Sequence, residues 1–171
     1  LYQNPLRGTA PNLTIEENLA LAYTRKASPS FFALNKKDSA YFREVLSTLG
    51  MGLEDRMKTK IGLLSGGQRQ AASLLMATIA EPELLLLDEH TAALDPGAAE
   101  KVMALTKKIV EENKITTLMI THDMEYALEY GSRTIMLDSG KIVMDLTGKE
   151  REEMTTGKLA ELFYGKAHKK G

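Results

Sequence analysis

From residue 65 onward, short continuous apolar runs alternate with longer stretches in which apolar residues recur at helical spacing. The runs Leu84–Leu87 and Thr116–Ile120 are too short for helices and predict strands that are covered on both faces. Between them, a helical period over about residues 97–112 predicts an amphipathic helix. Strands that alternate with helices indicate an α/β fold, in which a mainly parallel sheet is flanked by helices.

The remainder of this part of the chain continues the alternation. Helices are predicted over about residues 65–80 and 123–130, and a last helix over about residues 157–163. The tripeptide Asp138-Ser139-Gly140 lies between two apolar runs and predicts a β-hairpin.

Residues 13–50 contain no strand pattern. The string Thr14-Ile15-Glu16-Glu17 fits a capping box that opens a helix, and helical spacing predicts a second helix over about residues 38–49. We therefore expect residues 1–64 to contain an N-terminal loop and an all-α subdomain, and residues 65–171 to form the C-terminal part of the α/β core.

Composition narrows the function classes. The 171 residues fit one domain or most of one, and a net charge of −1 lacks the basic excess of a nucleic-acid-binding protein. Without cysteine, disulfides and thiolate metal sites are excluded. No apolar run approaches the roughly 18 residues of a membrane span, and the first residues carry no signal-peptide pattern.

The heptapeptide Leu64-Ser65-Gly66-Gly67-Gln68-Arg69-Gln70 stands at the start of a predicted helix. Ser65 and Gln68 fit an ordinary capping box, but each glycine in the first turn costs up to about 1 kcal/mol against alanine. Two glycines suit a helix N-terminus that another molecule approaches closely, where free backbone N–H groups bind an anion. The string therefore indicates a cradle for a phosphate, with a plain helix cap as the alternative.

Two carboxylates, Asp88 and Glu89, follow the first predicted strand. Ligands of parallel sheets bind at the carboxyl ends of strands, and an acidic residue there can hold Mg²⁺ beside nucleotide phosphates. The side chain of the next residue lies on the other side of the chain and can address an attacking water. An Asp that only serves a turn is the alternative.

These two strings, with Ala92-Ala93-Leu94-Asp95 downstream, resemble the ATP-binding-cassette (ABC) ATPase family with its LSGGQ signature and Walker B strand. The resemblance implies a P-loop NTPase-like fold that uses ATP and Mg²⁺. No Gly-x-x-x-x-Gly-Lys-Ser/Thr phosphate loop occurs in the 171 residues. We therefore expect an incomplete domain, the C-terminal two thirds of such an ATPase, which is inactive by itself.

The resemblance also implies a shared active site. In the family, the signature binds the ATP of the opposite subunit in a head-to-tail dimer, which gives that role to Ser65, Gly66, Gly67 and Gln68. Asp95 would lie in the D-loop, which touches the partner subunit.

Catalytic roles follow from the same resemblance. Asp88 would hold Mg²⁺, and Glu89 would act as the general base that polarises water. His122, in the string Ile120-Thr121-His122-Asp123, matches the switch histidine that bonds the γ-phosphate. Gln3 matches the Q-loop glutamine, which contacts Mg²⁺ and the attacking water.

Two positions depart from the family pattern Asp-Glu-Pro-Thr-Ser-Ala-Leu-Asp. His90 stands in place of the proline, and Ala92 in place of the serine. Since Glu89 and Asp95 are kept, we expect hydrolysis to be retained in the intact subunit. We expect His90 to be a tolerated substitution, with a metal ligand as the alternative.

The resemblance implies the ATPase subunit of an importer of amino acids or similar small solutes, which powers transport by ATP-driven head-to-tail dimerisation. Its partners would be a second ATPase subunit, identical or paralogous, a transmembrane permease and, indirectly, a solute-binding protein, with no nucleic acid. It would lie peripherally on the cytoplasmic face of the plasma membrane. The alternatives are a non-transport ABC ATPase of the translation or repair type, or, for these 171 residues alone, a catalytically silent interaction module.

Overall fold

A computed structural model describes residues 1, 4–24 and 36–167 of the chain. The chain divides into two compact units, Leu1–Ile120 and Thr121–Gly171, and each is described by itself. None of the described helices has the length and apolar character needed to cross a membrane.

The first unit is built from helices around one parallel strand pair. A 3-10 turn, Pro5–Gly8, precedes helices α1 (Ile15–Tyr23) and α2 (Lys36–Ser47), and a second 3-10 turn, Ile61–Leu63, leads into α3. The remaining elements are α3 (Gly66–Thr78), β1 (Leu84–Asp88), α4 (Pro96–Glu112) and β2 (Thr116–Ile120).

Strands β1 and β2 pair in parallel, with Leu84 opposite Thr116 and Asp88 opposite Ile120. Helix α4 connects them, which is the alternation that the sequence predicts. The expectation that both strands are covered on both faces is wrong for the described residues. Leu85 and Leu87 are buried in the core, whereas Leu84, Leu86, Leu118 and Ile120 are each more than half exposed. Only one face of the pair is packed by the helices of this unit, so burial alternates along β1.

The core of this unit joins the helical and the α/β parts of the chain. One cluster of buried side chains contains Leu19 of α1, Phe42 of α2, Leu74 of α3 and Leu87 of β1. Tyr23 meets Phe42 edge to face, with ring centroids 5.9 Å apart. The boundary at residues 64 and 65 stays a prediction, since helices from both sides of it share this core.

The second unit contains a hairpin and three helices. Helix α5 (Met124–Glu129) precedes β3 (Arg133–Asp138) and β4 (Lys141–Thr147), which pair antiparallel, and α6 (Gly148–Glu152) and α7 (Thr156–Ala167) follow. The predicted hairpin turn is confirmed: Ser139 and Gly140 both have positive φ, as a two-residue turn requires. Short helix α6 is absent from the sequence-based prediction.

Candidate functional site

Helix α3 begins with a complete capping box. The Ser65 hydroxyl accepts a hydrogen bond from the Gln68 amide at 3.3 Å, and the Gln68 side-chain oxygen accepts one from the Ser65 amide at 3.4 Å. The amides of Gly66 and Gly67 have no acceptor among the described residues. Since a first helical turn cannot satisfy these donors itself, they are available to an anion.

The two glycines of this turn have different surroundings. Gly66 is exposed, and a Cβ there would lie 3.2 Å from the end of the Leu94 side chain. Gly67 is buried, and a Cβ there would lie only 3.0 Å from the Cβ of Ala98 on α4. Helix packing is therefore a second reason for glycine at position 67, and its role toward a ligand stays a prediction.

Arg69 fixes the turn that leads into α3. Its guanidinium donates to the backbone oxygens of Leu64 at 2.8 Å, Gly62 at 3.1 Å and Ile61 at 3.4 Å. Gln68 adds a hydrogen bond to the backbone oxygen of Met51 at 3.3 Å. These contacts hold the start of α3 in place, and Gly66 in its first turn is exposed.

Asp88 and Glu89 lie at the carboxyl end of β1. Asp88 is the last residue of the strand and is exposed. Glu89 follows with φ of 44°, in the left-handed region that a non-glycine residue adopts at a cost of about 1–2 kcal/mol. The Glu89 amide donates to the Ile120 oxygen of β2 at 3.0 Å, and the Glu89 oxygen accepts from the Ala92 amide at 3.0 Å. The turn is therefore held on both sides in a strained conformation, which is typical of functional sites.

The side chain of His90 is buried, with 2% of its surface exposed. Its Nε2 lies 3.1 Å from the Thr106 hydroxyl of α4. Burial lowers the pKa of His90 to about 4, with a smaller contribution from the positive charge of the amino terminus, so the imidazole is neutral at physiological pH. Buried against Thr106, His90 is not placed as a metal ligand, and its tolerance as a substitution stays a prediction.

Asp95 caps helix α4. Its Oδ1 accepts a hydrogen bond from the Ala98 amide at 3.0 Å, and Pro96 occupies the first helical position. Since Gly66 faces Leu94 and Gly67 faces Ala98, the starts of α3 and α4 lie side by side. The structure thus brings the segment around Asp95 against the signature string, as one continuous surface of the first unit.

His122 and Gln3 are the other two predicted site residues. His122 is exposed and belongs to the second unit, where it precedes Asp123, the cap of α5. Gln3 lies outside the described residues. Two residues before it, Leu1 makes both hydrogen bonds of a parallel bridge with β1: its nitrogen donates to Leu86 O at 2.5 Å, and its oxygen accepts from Asp88 N at 3.1 Å.

The donor chemistry of the site fits a nucleotide phosphate better than a bare metal ion. In the part of the chain that the structure describes, no three His, Asp or Glu side chains are grouped to hold a metal. A single exposed carboxylate at a strand end, such as Asp88, suits a Mg²⁺ ion whose other ligands come from phosphates and water. The free amides of Gly66 and Gly67 suit a phosphate oxygen.

Sequence reasoning missed the structural roles of three residues at the site. The anchoring roles of Arg69 and His90 and the packing role of Gly67 depend on partners elsewhere in the fold. Arg69 is a single basic residue in a helix start of small and polar residues, which is a sequence signal for its anchoring role. No sequence signal identifies Thr106, 16 residues away, as the partner of His90.

The chain matches one protein family and several individual proteins in sequence. The family model described as ABC transporter matches residues 1–92. The chain is 42% identical over 163 residues to a tyrosine transport ATP-binding protein of Clostridioides difficile, covering 95% of this chain and 65% of that protein. It is 38% identical over 109 residues to a phosphonates import ATP-binding protein of Halalkalibacterium halodurans, covering 64% of this chain and 45% of that protein.

A solved structure has the same fold. It is a dimeric ATP-binding cassette in a post-hydrolysis state bound to ADP and Pi, with a TM-score of 0.68 and 31% identity, and the match covers 85% of this chain and 60% of that one. This confirms the predicted fold class, an α/β fold of the P-loop NTPase type. The chain spans 45% to 65% of the lengths of these three proteins.

Proposed function

Because this chain belongs to the ABC transporter family, we propose that it forms the larger part of the ATP-binding and ATP-hydrolysing subunit of an importer. The observation that carries the proposal is the start of α3, where Ser65 caps the helix and the amides of Gly66 and Gly67 stay without acceptors. Such a helix start is an anion site, and it lies in the same unit as the two carboxylates at the carboxyl end of β1.

In this proposal, the α3 start binds the terminal phosphate of a nucleotide held by a second ATPase subunit. Ser65 and Gln68 fix the first turn through the capping box, and Gly66 leaves its exposed side open to the phosphate. Asp95 lies beside this turn at the start of α4 and would contact the partner subunit. A dimer of this kind is supported by the dimeric cassette with the same fold.

Chemistry at the carboxylates follows from their positions. When Mg²⁺ is bound with the nucleotide, it neutralises charge on the phosphates, and Asp88 would hold it at the end of β1. Glu89 would accept a proton from the attacking water, in a turn fixed by the hydrogen bonds to Ile120 and Ala92. His122 would donate to the γ-phosphate, and Gln3 would contact the Mg²⁺ and the water.

The solute and the partners belong to the same proposal. A tyrosine transport protein at 42% identity supports an amino acid or a similar small solute. A transmembrane permease would bind this subunit at the cytoplasmic face of the membrane, and a solute-binding protein would act through the permease. ATP-driven association of the two ATPase subunits would power transport.

Glu89→Gln in the full-length subunit tests the chemical role. The substitution keeps the shape of the side chain and removes the base, so we expect kcat for ATP hydrolysis to fall by about a thousandfold. ATP binding should be retained, and a dimer closed on ATP should accumulate, as measured by size-exclusion chromatography with Mg²⁺ and ATP.

Glu83→Gln is the matched control, since Glu83 is exposed next to the opposite end of β1. It should hydrolyse ATP like the wild type. Wild-type turnover in Glu89→Gln would contradict the role proposed for Glu89.

A further inference from the structure

The turn that carries Glu89 is tied to helix α4 through a buried chain of hydrogen bonds. His90 Nε2 lies 3.1 Å from Thr106 Oγ1, and the Thr106 hydroxyl donates to the Val102 oxygen at 2.8 Å. Because the hydroxyl proton is committed to Val102, Thr106 accepts a hydrogen bond from the Nε2–H of His90. The direction of each bond is thereby assigned from the network.

Burial makes this connection specific. His90 and Thr106 are 2% and 5% exposed, so neither can exchange its partner for water. A buried donor that loses its acceptor is destabilised, which confines the His90 ring to one position. The backbone of His90 is thus held from inside the protein at the residue immediately after Glu89.

Glu89 needs such support because its backbone is in the left-handed region. The hydrogen bond from its amide to Ile120 restrains the turn on the β2 side, and the bond from Ala92 closes the turn locally. The His90 side chain connects the turn to the middle of α4 through Thr106. Without that anchor the strained turn can relax.

We propose that His90 is a positioning residue, whose hydrogen bond to Thr106 holds the turn that carries Glu89. The proposal rests on the proposed role of Glu89 as the base in ATP hydrolysis. Loss of the anchor should displace the base while leaving the phosphate cradle of α3 intact, so kcat should fall while KM for ATP stays nearly constant.

Thr106→Val in the full-length subunit removes the acceptor and keeps the side-chain shape. We expect kcat to fall by about tenfold or more, with KM for ATP within about twofold of the wild type. Thr106→Ser restores the hydroxyl and should restore kcat to within about twofold.

Thr78→Val is the matched control. Thr78 is also buried on a helix and its hydroxyl also donates to the carbonyl four residues earlier, Leu74, but it holds no histidine. Thr78→Val and Thr106→Val should lose similar thermal stability from the hydroxyl hydrogen bond that each makes to its own helix backbone. Thr78→Val should keep the wild-type kcat. An equal loss of kcat in both variants would reduce His90 to a structural residue and overturn the proposal.

Since Thr106→Val leaves the His90 donor unpaired, the double variant His90→Leu/Thr106→Val provides a second test. Both polar groups are removed together, which is nearly neutral for folding when the shape is kept. A folded double variant with wild-type kcat overturns the proposal, and one with reduced kcat supports it.

Glu89→Gln separates the two hypotheses. If Glu89→Gln turns over ATP normally, the role of Glu89 fails and the positioning role falls with it. If Glu89→Gln is inactive while the double variant is fully active, only the positioning role of His90 is wrong.

Discussion

Helices α1 and α3 begin with the same capping box, and their first turns are used in opposite ways. In α1, Thr14 and Glu17 form the box, as Ser65 and Gln68 do in α3. The next two amides of α1 are occupied, since Ile15 donates to the Thr59 oxygen at 3.0 Å and Glu16 to the Met57 oxygen at 3.1 Å. The corresponding amides of α3 have no acceptor within the described residues.

Side chains sharpen the difference between the two turns. The first turn of α1 carries Glu16 and Glu17, whose negative charge already complements the helix dipole, whereas α3 has no acidic residue there. Ile15 is fully buried, while Gly66 is exposed. A capping box therefore predicts where a helix begins, and the occupancy and charge of its first turn decide whether an anion can bind.

Gly66→Asp gives the first turn of α3 an acidic residue, as in α1, and should have the largest effect on ATP hydrolysis. The added carboxylate suits the helix dipole, so folding should change by less than about 1 kcal/mol, but it repels a phosphate. In the full-length subunit, we expect ATP hydrolysis to fall by about a hundredfold or more, measured as kcat/KM.

Gly66→Asn is the matched neutral variant, with nearly the same shape. It should retain about ten times more activity than Gly66→Asp, because steric hindrance remains and repulsion is removed. Equal activities in the two variants would show that charge at this turn is irrelevant and would contradict an anion site.

Gly67→Val tests the packing side of the same turn. A Cβ at this position would lie only 3.0 Å from the Cβ of Ala98, so the valine side chain should destabilise the chain by about 1–3 kcal/mol. Urea unfolding followed by circular dichroism measures the change. Gly157→Val is the control, since Gly157 is likewise the second residue of a helix but has open space around it. Equal destabilisation would assign the effect to helix propensity instead of packing.

Glu16→Gln tests the charged turn of α1 and should have the smallest effect. Burial alone would raise the pKa of Glu16, but the ion pair with Lys58 and the hydrogen bond from Ser39 outweigh it and hold the pKa below its usual 4.5. A lowered pKa in the folded state means that this stabilisation is complete above about pH 4.5 and is lost as the pH falls through the lowered value. Lys58 is 83% exposed, so the contribution should stay below about 1 kcal/mol.

The measurement is the free energy of unfolding at pH values from 7 down to 3. The wild type should lose more stability over the acidic part of this range than Glu16→Gln does. Glu44→Gln, on the exposed face of α2, should follow the wild-type curve. A Glu16→Gln curve parallel to the wild type would mean that the buried carboxylate contributes no pH dependence.

Features encoded by neighbouring residues could be predicted from the sequence. Both capping boxes and the turn at Ser139 and Gly140 follow from patterns of a few residues, and the parallel pair β1 and β2 follows from the alternation of strand and helix. Periodicity predicts α4 over about residues 97–112, and the observed helix is Pro96–Glu112.

Features that depend on distant partners could not be predicted from the sequence. The exposure of Leu84 depends on which elements cover the sheet, and its apolar run is the same whether one face is packed or two. The left-handed backbone of Glu89 depends on hydrogen bonds to Ile120 and Ala92, and a glutamate gives no local preference for it. His90 likewise carries no sign of its partner on α4.

The backbone at Glu89 has a consequence for protein engineering. Glycine would adopt its φ of 44° without steric strain, and asparagine with less strain than glutamate. A library selected only for thermal tolerance should therefore drift toward those residues at position 89, whereas selection for ATP turnover should retain glutamate. Stability and activity thus favour different residues at position 89. Consensus design for stability should therefore keep Glu89 unchanged.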